Sequence, residues 1–550
     1  MFFRKKKSGQ HTYIQIVENQ REGKNVRQRV MATIGRLDRL QESGQMDSLV
    51  RSGLRFCEHL AAVEASQSDE ESVLGTERIG PDVVFSRLWE RLGIAEEIKR
   101  LLQPRRFGFA LERAIYLTVL HRLCLSGSDR AAEKWKRDYR LPGCEDIRLH
   151  HLYRAMAFLG EELPSDQQDG KTPFSPRCIK DLLEEGLFAR RRDLFTDLHL
   201  VFFDTTSIYF EGEGGDLGER GNSKDSRPDL KQMVVGVVLD AEGTPVCCEM
   251  WPGNTTDVKS LVPVANRLRK RFGIHQVCIV ADRGMISQDT ICQLEAAPFQ
   301  WKYILGARMR RQKEVSQEVL RRAGAYQEIF PERTSKKDRS PLKVKEVWVQ
   351  GRRYVVCVNE EQRRRDAHDR DAIVQHLRGQ LKRGDKSLVG NKGYRKFIAT
   401  SGSGFSIDEK KIKQEARYDG KWVLRTNMEM PAKDVAMAYK QLWTVEDIFR
   451  TMKSILETRP IYHKCTENIR GHVFCSFLAL CLRKELQNSL DSKGFSLEWD
   501  DIIRDINEIQ EVTTIFSGKT FVLRPALKGC AHQVLTAVGT APPKSVREIP

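Results

Sequence analysis

Two apolar segments of this sequence each end on an aspartate, and they constrain the fold more than any other feature. Residues 198–203 lead into Asp204, and residues 277–281 lead into Asp282. Runs of this length and composition predict buried β-strands. An ionised carboxylate at the end of such a strand is costly unless it is paired, hydrogen-bonded or bound to a metal, and ligand sites of open α/β sheets form at strand ends. Taken singly, each aspartate would serve equally well as a helix cap or a turn residue.

The segments around the two aspartates complete a sheet. Residues 233–240 and 244–250 predict strands joined by a turn at 241–243. Residues 288–296 predict a helix, and residues 302–305 predict a further strand. Three antiparallel strands followed by parallel strands with intervening helices describe a mixed α/β sheet. We therefore expect an α/β core in this part of the chain.

Patterning divides the rest of the chain into regions. Strand-like alternation at 12–17 and 26–33 predicts a basic β-hairpin, and helical periodicity with basic polar faces runs from about 80 to 190. Residues 311–420 are rich in charge and contain strand-like pieces, which indicates a separate, partly β insertion. Helical periodicity returns after it. We expect six regions: a basic β-hairpin region (1–75), a helical DNA-binding domain (76–190), the first part of the α/β core (191–310), the insertion (311–420), the second part of the core (421–495), and a C-terminal helix and tail (496–550).

The charge balance favours a polyanionic partner. Lys and Arg number 92 against 75 Asp and Glu, a formal net charge of +17, and each phosphate contact releases condensed counterions. Charge alone does not choose between DNA, RNA, the ribosome and an anionic membrane surface. No secretory signal is evident, the longest apolar run (473–482) is too short to span a bilayer, and the 13 cysteines are scattered. We therefore expect a cytoplasmic protein with no membrane partner.

Other candidate sites are faint. No glycine loop of the Walker type is present, so no nucleotide cofactor is expected. Four residues are candidate zinc ligands: His463, Cys465, His472 and Cys475. Their spacing matches no compact zinc knuckle, and His472 and Cys475 share one face of a predicted core helix. We therefore interpret these four residues as buried side chains with a structural role.

A third acid, Glu446, lies within a predicted helix over 439–453. The apolar face of this helix consists of Leu442, Val445, Phe449 and Met452. Glu446 sits beside that face, within reach of a sheet edge, with Arg450 and Lys453 on roughly the same side. In isolation, an ordinary surface ion pair between Glu446 and Arg450 is the favoured interpretation.

The spacing around Glu446 nevertheless matches a known motif. Tyr439, Glu446 and Lys453 occupy the Tyr, Glu and Lys positions of a Tyr-two-Arg-three-Glu-six-Lys pattern, and Leu442 stands at its arginine. Supporting blocks occur at 202–207, 223–232, 252–257 and 281–285. On these residues the sequence resembles the DDE transposases of bacterial insertion sequences, specifically the cut-and-paste group with this third motif. The resemblance is specific over 198–310 and 432–490 and looser elsewhere.

The resemblance implies a fold and a chemistry. The fold is a ribonuclease-H-like mixed sheet with helices on both faces, interrupted by a β-rich insertion and preceded by a β-hairpin and a helical domain. Asp204, Asp282 and Glu446 would be both the catalytic acids and the metal ligands, holding two Mg²⁺ ions for which Mn²⁺ substitutes. Asp204 is expected to bridge both ions. Water would nick the DNA, and the freed 3′-hydroxyl would attack next, with a hairpin as one outcome.

The same resemblance implies contacts and partners. Tyr439 and Lys453 are expected to contact the DNA backbone near the cleaved end, and Arg450 is a conjectured replacement for the arginine missing at Leu442. Further candidates for DNA binding are Lys224, Arg227, Lys231 and Arg283. Arg283 would equally serve as an ion-pair partner of Asp282. The expected partners are terminal inverted repeats, target DNA and a second copy of the chain on paired ends, in a bacterial nucleoid.

Three alternatives remain at the level of sequence. A transposase-derived protein that binds DNA without cutting it would keep the fold, and Leu442 would be an early sign of decay. A ribonuclease-H-like nuclease would cut without joining strands. A non-enzymatic RNA-binding or scaffold role would rest on the basic charge alone and would tolerate alanine at all three acids.

Overall fold

The computed structural model of the chain describes residues 2–22, 25–46, 48–49, 73–103, 105–172, 175–191, 200–273, 278–296, 300–330, 341–382, 396–401, 404–516 and 519–549. Residues 50–72 of the expected N-terminal region, and 331–340 and 383–395 of the expected insertion, lie outside these described residues. The chain divides into two compact units, one of residues 1–77, 510–526 and 543–550 and one of residues 78–509 and 527–542.

The first unit is built mainly of β-strands. Strands β1 (Phe2–Ser8), β2 (His11–Glu22) and β3 (Asn25–Arg36) form an antiparallel sheet, so the structure adds a strand in front of the expected hairpin. Helix α1 (Leu37–Glu42) follows, with Leu40 buried. Strand β4 (Val73–Arg78) belongs to a second sheet, whose other strands come from the end of the chain.

Six helices occupy the start of the second unit, where helical periodicity was expected. They are α2 (Gly80–Arg91), α3 (Ile94–Leu102), α4 (Leu111–Cys124), α5 (Asp129–Trp135), α6 (Leu149–Gly160) and α7 (Ile179–Arg191). Their apolar side chains share one core with the sheet that follows. The helical region is therefore packed directly against this sheet.

The central sheet contains both predicted strands. Its strands are β5 (Leu200–Tyr209), β6 (Gln232–Leu239), β7 (Pro245–Pro252), β8 (Cys278–Ala281) and β9 (Lys302–Gly306). Strand β5 continues past Asp204 to Tyr209, whereas β8 ends at Ala281, just before Asp282. The spatial order is β7-β6-β5-β8-β9, with β5, β6 and β7 antiparallel and β5, β8 and β9 parallel. Helices α8 (Asp257–Phe272) and α9 (Gln288–Glu295) pack against one face. This arrangement confirms the expected ribonuclease-H-like mixed sheet.

The region predicted as a separate insertion contributes strands that continue this sheet. After α10 (Lys313–Gln317) come β10 (Gln327–Ile329), β11 (Leu342–Val349), β12 (Arg352–Asn359), α11 (Glu360–Leu381), β13 (Ile398–Ser401), β14 (Gly404–Ile407), α12 (Glu409–Ala416) and β15 (Lys421–Thr426). Strand β15 pairs antiparallel with β9, and β12, β11 and β10 extend the sheet to nine strands. The backbone groups at the edge of β9 find their partners in this way.

The helix predicted over 439–453 is broken in the structure. Helix α13 (Ala432–Lys440) ends before Leu442, α14 (Trp443–Arg450) follows, and a π-helical turn covers Thr451–Ile455. The backbone amides of Leu442 and Val445 donate to carbonyl groups three residues back, at 3.0 Å each. Leu442 is buried in the main core at this break. The spacing of the apolar residues alone does not distinguish this arrangement from one continuous helix.

The chain ends differently from the predicted single helix and tail. Long helix α15 (Thr466–Ser492) contains the apolar run at 473–482 as a core element, and α16 (Trp499–Asn507) follows. Strands β16 (Gln510–Phe516), β17 (Lys519–Leu523) and β18 (Val546–Ile549) form a sheet with β4 in the order β18-β17-β16-β4. Helix α17 (Ala531–Val538) lies between β17 and β18 in the sequence. Among the described residues, no helix has the length and apolar character that a bilayer crossing requires.

A cluster of six buried charged side chains joins the helical region to the sheet, and we call it the buried ion network. Its members come from α7, β7 and α8: Lys180, Asp181, Glu184, Glu249, Arg267 and Arg271. Lys180 Nζ lies 2.7 Å from Asp181 Oδ1, and Arg271 lies 3.2 Å from both Asp181 and Glu249. These contacts cross between elements far apart in the sequence and hold α7 against the sheet.

Candidate active site

Asp204 and Asp282 are neighbours at the carboxyl end of the parallel strands. The register between β5 and β8 pairs Phe203 with Ala281, so the two aspartates are the next residue on each strand. Phe202 and Val280 belong to the core cluster shared with α14. Because side chains alternate along a strand, Asp204 and Asp282 point to this same face, and the structure brings together the first two predicted acids.

The surroundings of Asp204 are short of positive charge. Its Oδ1 accepts a hydrogen bond of 2.7 Å from the backbone N–H of Thr205. Burial raises the pKa of Asp204 to about 6, and the nearby Asp282 and Asp257 add to the rise, while Lys224 and the Thr205 amide oppose it. A carboxylate in this position would gain from a bound cation.

Asp282 is oriented by Tyr439. The phenol oxygen of Tyr439, on α13, donates to Asp282 Oδ1 at 3.0 Å. Burial raises the pKa of Tyr439 well above its usual value, and the adjacent Asp282 adds to that rise. A Cβ at Gly306 would overlap the Tyr439 hydroxyl and would approach the backbone nitrogen of Arg283 to 3.0 Å. A residue without a side chain at the end of β9 thus leaves room for the Tyr439–Asp282 contact.

Glu446 lies on α14, which packs against β5 and β6 on the face that holds Asp204. Val445 and Phe449 are buried, whereas Glu446 is exposed and has no ion pair within the described part of the chain. Arg450 pairs with Asp447 at 3.3 Å instead. The ordinary surface pair between Glu446 and Arg450 that the sequence favoured is therefore absent.

A fourth acid at the site, Asp257, was not singled out from the sequence. It is the first residue of α8, and its Oδ1 accepts a 2.6 Å hydrogen bond from the Thr205 hydroxyl. A Cβ built on Gly284 would lie 3.6 Å from Asp257 Oδ2 and 3.9 Å from Asp282 Oδ2. The only sequence signal was its place at the end of the block 252–257, just before a helical pattern.

Lys224 faces the acids. Its Nζ donates to the carbonyl oxygen of Thr205 at 2.7 Å and to the Thr205 hydroxyl at 3.0 Å, and it lies 3.3 Å from Asp257 Oδ2. Its backbone amide donates to the hydroxyl of Ser207 at 2.7 Å. The sequence predicted a loop residue that approaches DNA, whereas the ammonium is turned towards β5.

Lys453 belongs to a second small cluster centred on Asp225. Its Nζ donates to Asp225 Oδ1 at 2.7 Å, and Arg459 lies 2.9 Å from the same oxygen. Burial lowers the pKa of Lys453, and Asp225 opposes that change. The pairing joins the π-helical turn to the loop that contains Lys224. Arg459 was not identified from the sequence.

The remaining basic candidates are spread over the surface. Arg227 pairs with Asp229 at 3.0 Å, and Lys231 pairs with Glu213. Arg283 is exposed, and no ion pair of its side chain occurs within the described ranges. The alternative of an ion pair between Arg283 and Asp282 is therefore not what the structure has.

The suspected zinc ligands are only partly brought together. His463 lies 3.3 Å from Asp129, and His472 lies near both residues. Arg122 donates to His472 Nδ1 at 2.8 Å, and His472 Nε2 lies 3.1 Å from the carbonyl oxygen of Thr458. Both ring nitrogens of His472 are thus engaged in hydrogen bonds. Exposed Cys465 and buried Cys475 are not part of the group.

The carboxylates around Asp204 suit a hard divalent cation. Asp204, Asp282 and Asp257 offer carboxylate oxygens, the ligands that Mg²⁺ prefers. Lys224 is the one ammonium that contacts this group among the residues the structure describes. The excess of acids over cations fits a site that is completed by metal ions.

Comparison with known proteins gives two family matches. Residues 196–482 match the transposase DDE domain, and residues 3–67 match the N-terminal domain of IS1634 family transposases. The piggyBac transposase synaptic complex with hairpin DNA is 12% identical over 78% of this chain and 78% of that chain, with a TM-score of 0.38. The Mos1 transposase paired-end complex with the left transposon end is 14% identical over 38% of this chain and 64% of that chain, with a TM-score of 0.15. No curated protein matches the sequence.

Proposed function

Since the chain belongs to the family of DDE transposases, which cleave DNA with divalent metal ions, we propose that Asp204, Asp282 and Glu446 are its catalytic acids and metal ligands. The observation that supports this best is that Asp204 and Asp282 lie side by side just after the last parallel pair of β5 and β8, where burial and like charges raise the pKa of Asp204 to about 6. Two Mg²⁺ ions bound there would activate the attacking water and stabilise the departing 3′ oxygen.

The protein's own groups prepare Asp282 for this role. Tyr439 occupies Oδ1 of Asp282, and Oδ2 faces the side on which Gly284 and Asp257 lie. One carboxylate oxygen is thus held while the other stays available as a ligand. In this proposal Tyr439 is a positioning residue for Asp282, in addition to the DNA contact that the family resemblance implies.

Lys224 and Asp257 would tune the site. Asp257 holds the Lys224 ammonium close to Thr205, the neighbour of Asp204. The ammonium offsets part of the repulsion among the carboxylates, and a DNA phosphate entering the site would offer it a second anionic partner. Asp257 is therefore expected to position Lys224 and, through Thr205, the backbone beside Asp204.

The DNA-binding roles extend outward from this centre. Lys453 and Arg459 together carry two positive charges against the single charge of Asp225, which leaves a surplus for a phosphate near the cleaved end. Arg450, Arg227, Lys231 and Arg283 are proposed as more peripheral contacts. The substrates would be terminal inverted repeats and target DNA, held by a homodimer on paired ends, with water as the first nucleophile and the freed 3′-hydroxyl as the second.

Substitution of Glu446 tests the proposal, with Asp447 as a matched control on the same helix. Duplexes carrying the terminal repeats that flank the coding sequence are incubated with Mg²⁺ and either Glu446→Gln or Asp447→Asn. We expect Asp447→Asn to cleave at the repeat ends like the wild type, because Asp447 pairs with Arg450 and is not a proposed metal ligand. Glu446→Gln should bind the duplex and leave it intact.

Three other results would contradict all or part of this proposal. Binding without cleavage by the wild type would favour the transposase-derived DNA-binding alternative. Cleavage by the wild type without any joined product would favour a nuclease on the same fold. Equal cleavage by both variants would remove Glu446 from the catalytic set.

A further inference from the structure

A strongly basic cleft opens beside the acids. It encloses about 320 Å³ and is lined by Arg283, Gly284, Arg308, Met309, Arg310 and Arg311. No carboxylate is among these lining residues. We call it the basic cleft. Of its residues only Arg283 has been given a role above, as a peripheral DNA contact, and the cleft itself has none.

The topology places the basic cleft at the same sheet edge as the acids. Ala281 on β8 is level with Leu305 on β9, so the residues after β8 and after β9 emerge side by side. Asp282 follows the first strand, and the run Arg308 to Arg311 follows the second within a few residues. Gly284, which lines the cleft, is also the residue whose added Cβ would lie 3.9 Å from Asp282 Oδ2. The cleft thus begins where the acidic site ends.

The four arginines of the cleft fall into two groups. Arg308 donates to the carbonyl oxygens of Arg283 and Gly284 at 2.9 and 2.8 Å, which ties the turn after β9 to the loop after Asp282. Arg310 lies 2.9 Å from Glu415 and stacks over the ring of Tyr418. These two guanidinium groups are committed to the protein.

Arg283 and Arg311 are different. Both are exposed, and neither forms an ion pair with any residue that the structure describes. Guanidinium groups present a planar fork of donors that fits phosphate oxygens, and they are weakly hydrated for a cation. A wall that combines two fixed arginines with two unpaired ones is suited to a chain of phosphates.

We propose that the basic cleft binds the phosphodiester backbone of the DNA strand next to the scissile phosphate, with Arg283 and Arg311 as the phosphate contacts. The proposal rests on the proposed function of Asp204 and Asp282, because it takes the acids as the position of the scissile phosphate. Phosphates of one strand advance about 3.4 Å along the duplex axis per nucleotide. A strand whose scissile phosphate reaches Asp282 therefore brings neighbouring phosphates to the cleft.

The salt dependence of DNA binding tests this inference. Full-length wild type, Arg311→Ala, Arg283→Ala and the double variant are titrated with a terminal-repeat duplex in EDTA at several salt concentrations. Because each phosphate contact contributes a slope of about 0.9 in log affinity against log salt, each single variant should lower the slope by about one unit and the double variant by about two. Arg321→Ala, an exposed arginine outside the cleft, should keep the wild-type slope.

A neutral methylphosphonate placed at single positions beside the scissile phosphate identifies the contact. At one such position the methylphosphonate should lower the affinity of the wild type for the duplex. The same methylphosphonate should not lower the affinity of Arg311→Ala further, because that variant already lacks the contact. Equal slopes for wild type and both single variants would overturn the inference, as would an equal fall for Arg321→Ala. Mg²⁺-dependent cleavage by the wild type is measured separately, so that failure of the catalytic proposal is distinguished from failure of the cleft.

Discussion

The buried ion network and the acidic site both keep charged groups away from bulk water, and they meet the cost of doing so in opposite ways. In the network, Lys180, Arg267 and Arg271 face an equal number of carboxylates. At the acidic site, Asp204, Asp282 and Asp257 have Lys224 as their one contacting ammonium within the described ranges. The first cluster is neutral by itself, and the second becomes neutral only when cations are added.

The pKa values of Asp181 and Asp204 show the same contrast, although that of Glu184 does not. Burial alone would raise the pKa of Asp181, but Arg271, Lys180 and Arg267 together lower it far below its usual value. At the fully buried Glu184 of the same network, burial outweighs the cations and the pKa rises. At Asp204 burial raises the pKa and two neighbouring acids raise it further. The compensated charges of the network hold elements together, whereas the uncompensated charges belong to the proposed reaction site.

The largest expected effect comes from removing one cation of the network. Arg271→Ala would leave Asp181, Glu184 and Glu249 short of a partner in the interior. Breaking a buried pair in this way costs about 3–5 kcal/mol, out of a usual total of about 5–15 kcal/mol. Urea unfolding of the full chain should show this loss or the absence of a folded baseline. Lys270→Ala on the same helix breaks only the exposed pair with Asp169 and should cost less than about 1 kcal/mol.

The next effect concerns the support of Asp282. Gly306→Ala should displace the Tyr439 hydroxyl from Asp282, because the added Cβ overlaps it. Loss of a group that orients a metal ligand lowers metal affinity or activity by about 10- to 100-fold. Tyr439→Phe should have a similar effect, and the double variant should be no worse than either single one. Gly379→Ala, whose Cβ would meet nothing, should match the wild type in single-turnover rate and be no less stable, because alanine favours the helix that contains it.

A third prediction uses the raised pKa of Asp204. Metal ligands must be deprotonated, and this carboxyl takes up a proton as the pH falls through about 6. The affinity for Mn²⁺ should be nearly constant above that pH and should fall about tenfold per pH unit below it. Far-UV circular dichroism over the same range checks that the fold persists. An affinity that stays constant down to the usual aspartate value of 3.8 would contradict the assignment.

The smallest expected effect is a shift, in Asp257→Asn, of the pH below which the affinity for Mn²⁺ falls. The charge of Asp257 contributes to the raised pKa of Asp204, and its removal also releases Lys224 from an anionic partner. Both changes favour the ionised form of Asp204, so the pH at which Mn²⁺ affinity falls should move down by less than about one unit. Asp169→Asn, at an exposed pair, should leave the midpoint where it is.

The sequence was informative where chemistry and local pattern coincide. The apolar runs before Asp204 and Asp282 predict the buried strands β5 and β8, and strand order then makes the two acids neighbours. Glu446 depended on a motif, because an exposed glutamate on an amphipathic helix has no distinctive pattern of its own. Leu442 is buried in the core, so an arginine at this position would have to place its charge among apolar side chains.

What the sequence did not predict depends on contacts between distant residues. Asp257 joins the site through Thr205, which lies 52 positions away, and nothing local to either residue indicates that pairing. The pairing of β15 with β9, which turns the insertion into an extension of the sheet, is equally long-range. The break before α14 preserves the spacing of the apolar residues, so periodicity could not detect it.

The most direct test of the central claim is the binding of Mn²⁺ to full-length wild type and Asp204→Asn, measured by calorimetry at pH 7.5 without DNA. The account predicts saturable binding to the wild type that Asp204→Asn abolishes, with the variant at least as resistant to unfolding as the wild type because a repulsive charge is gone. Identical Mn²⁺ binding by both proteins would contradict the assignment of the uncompensated acids as the metal site.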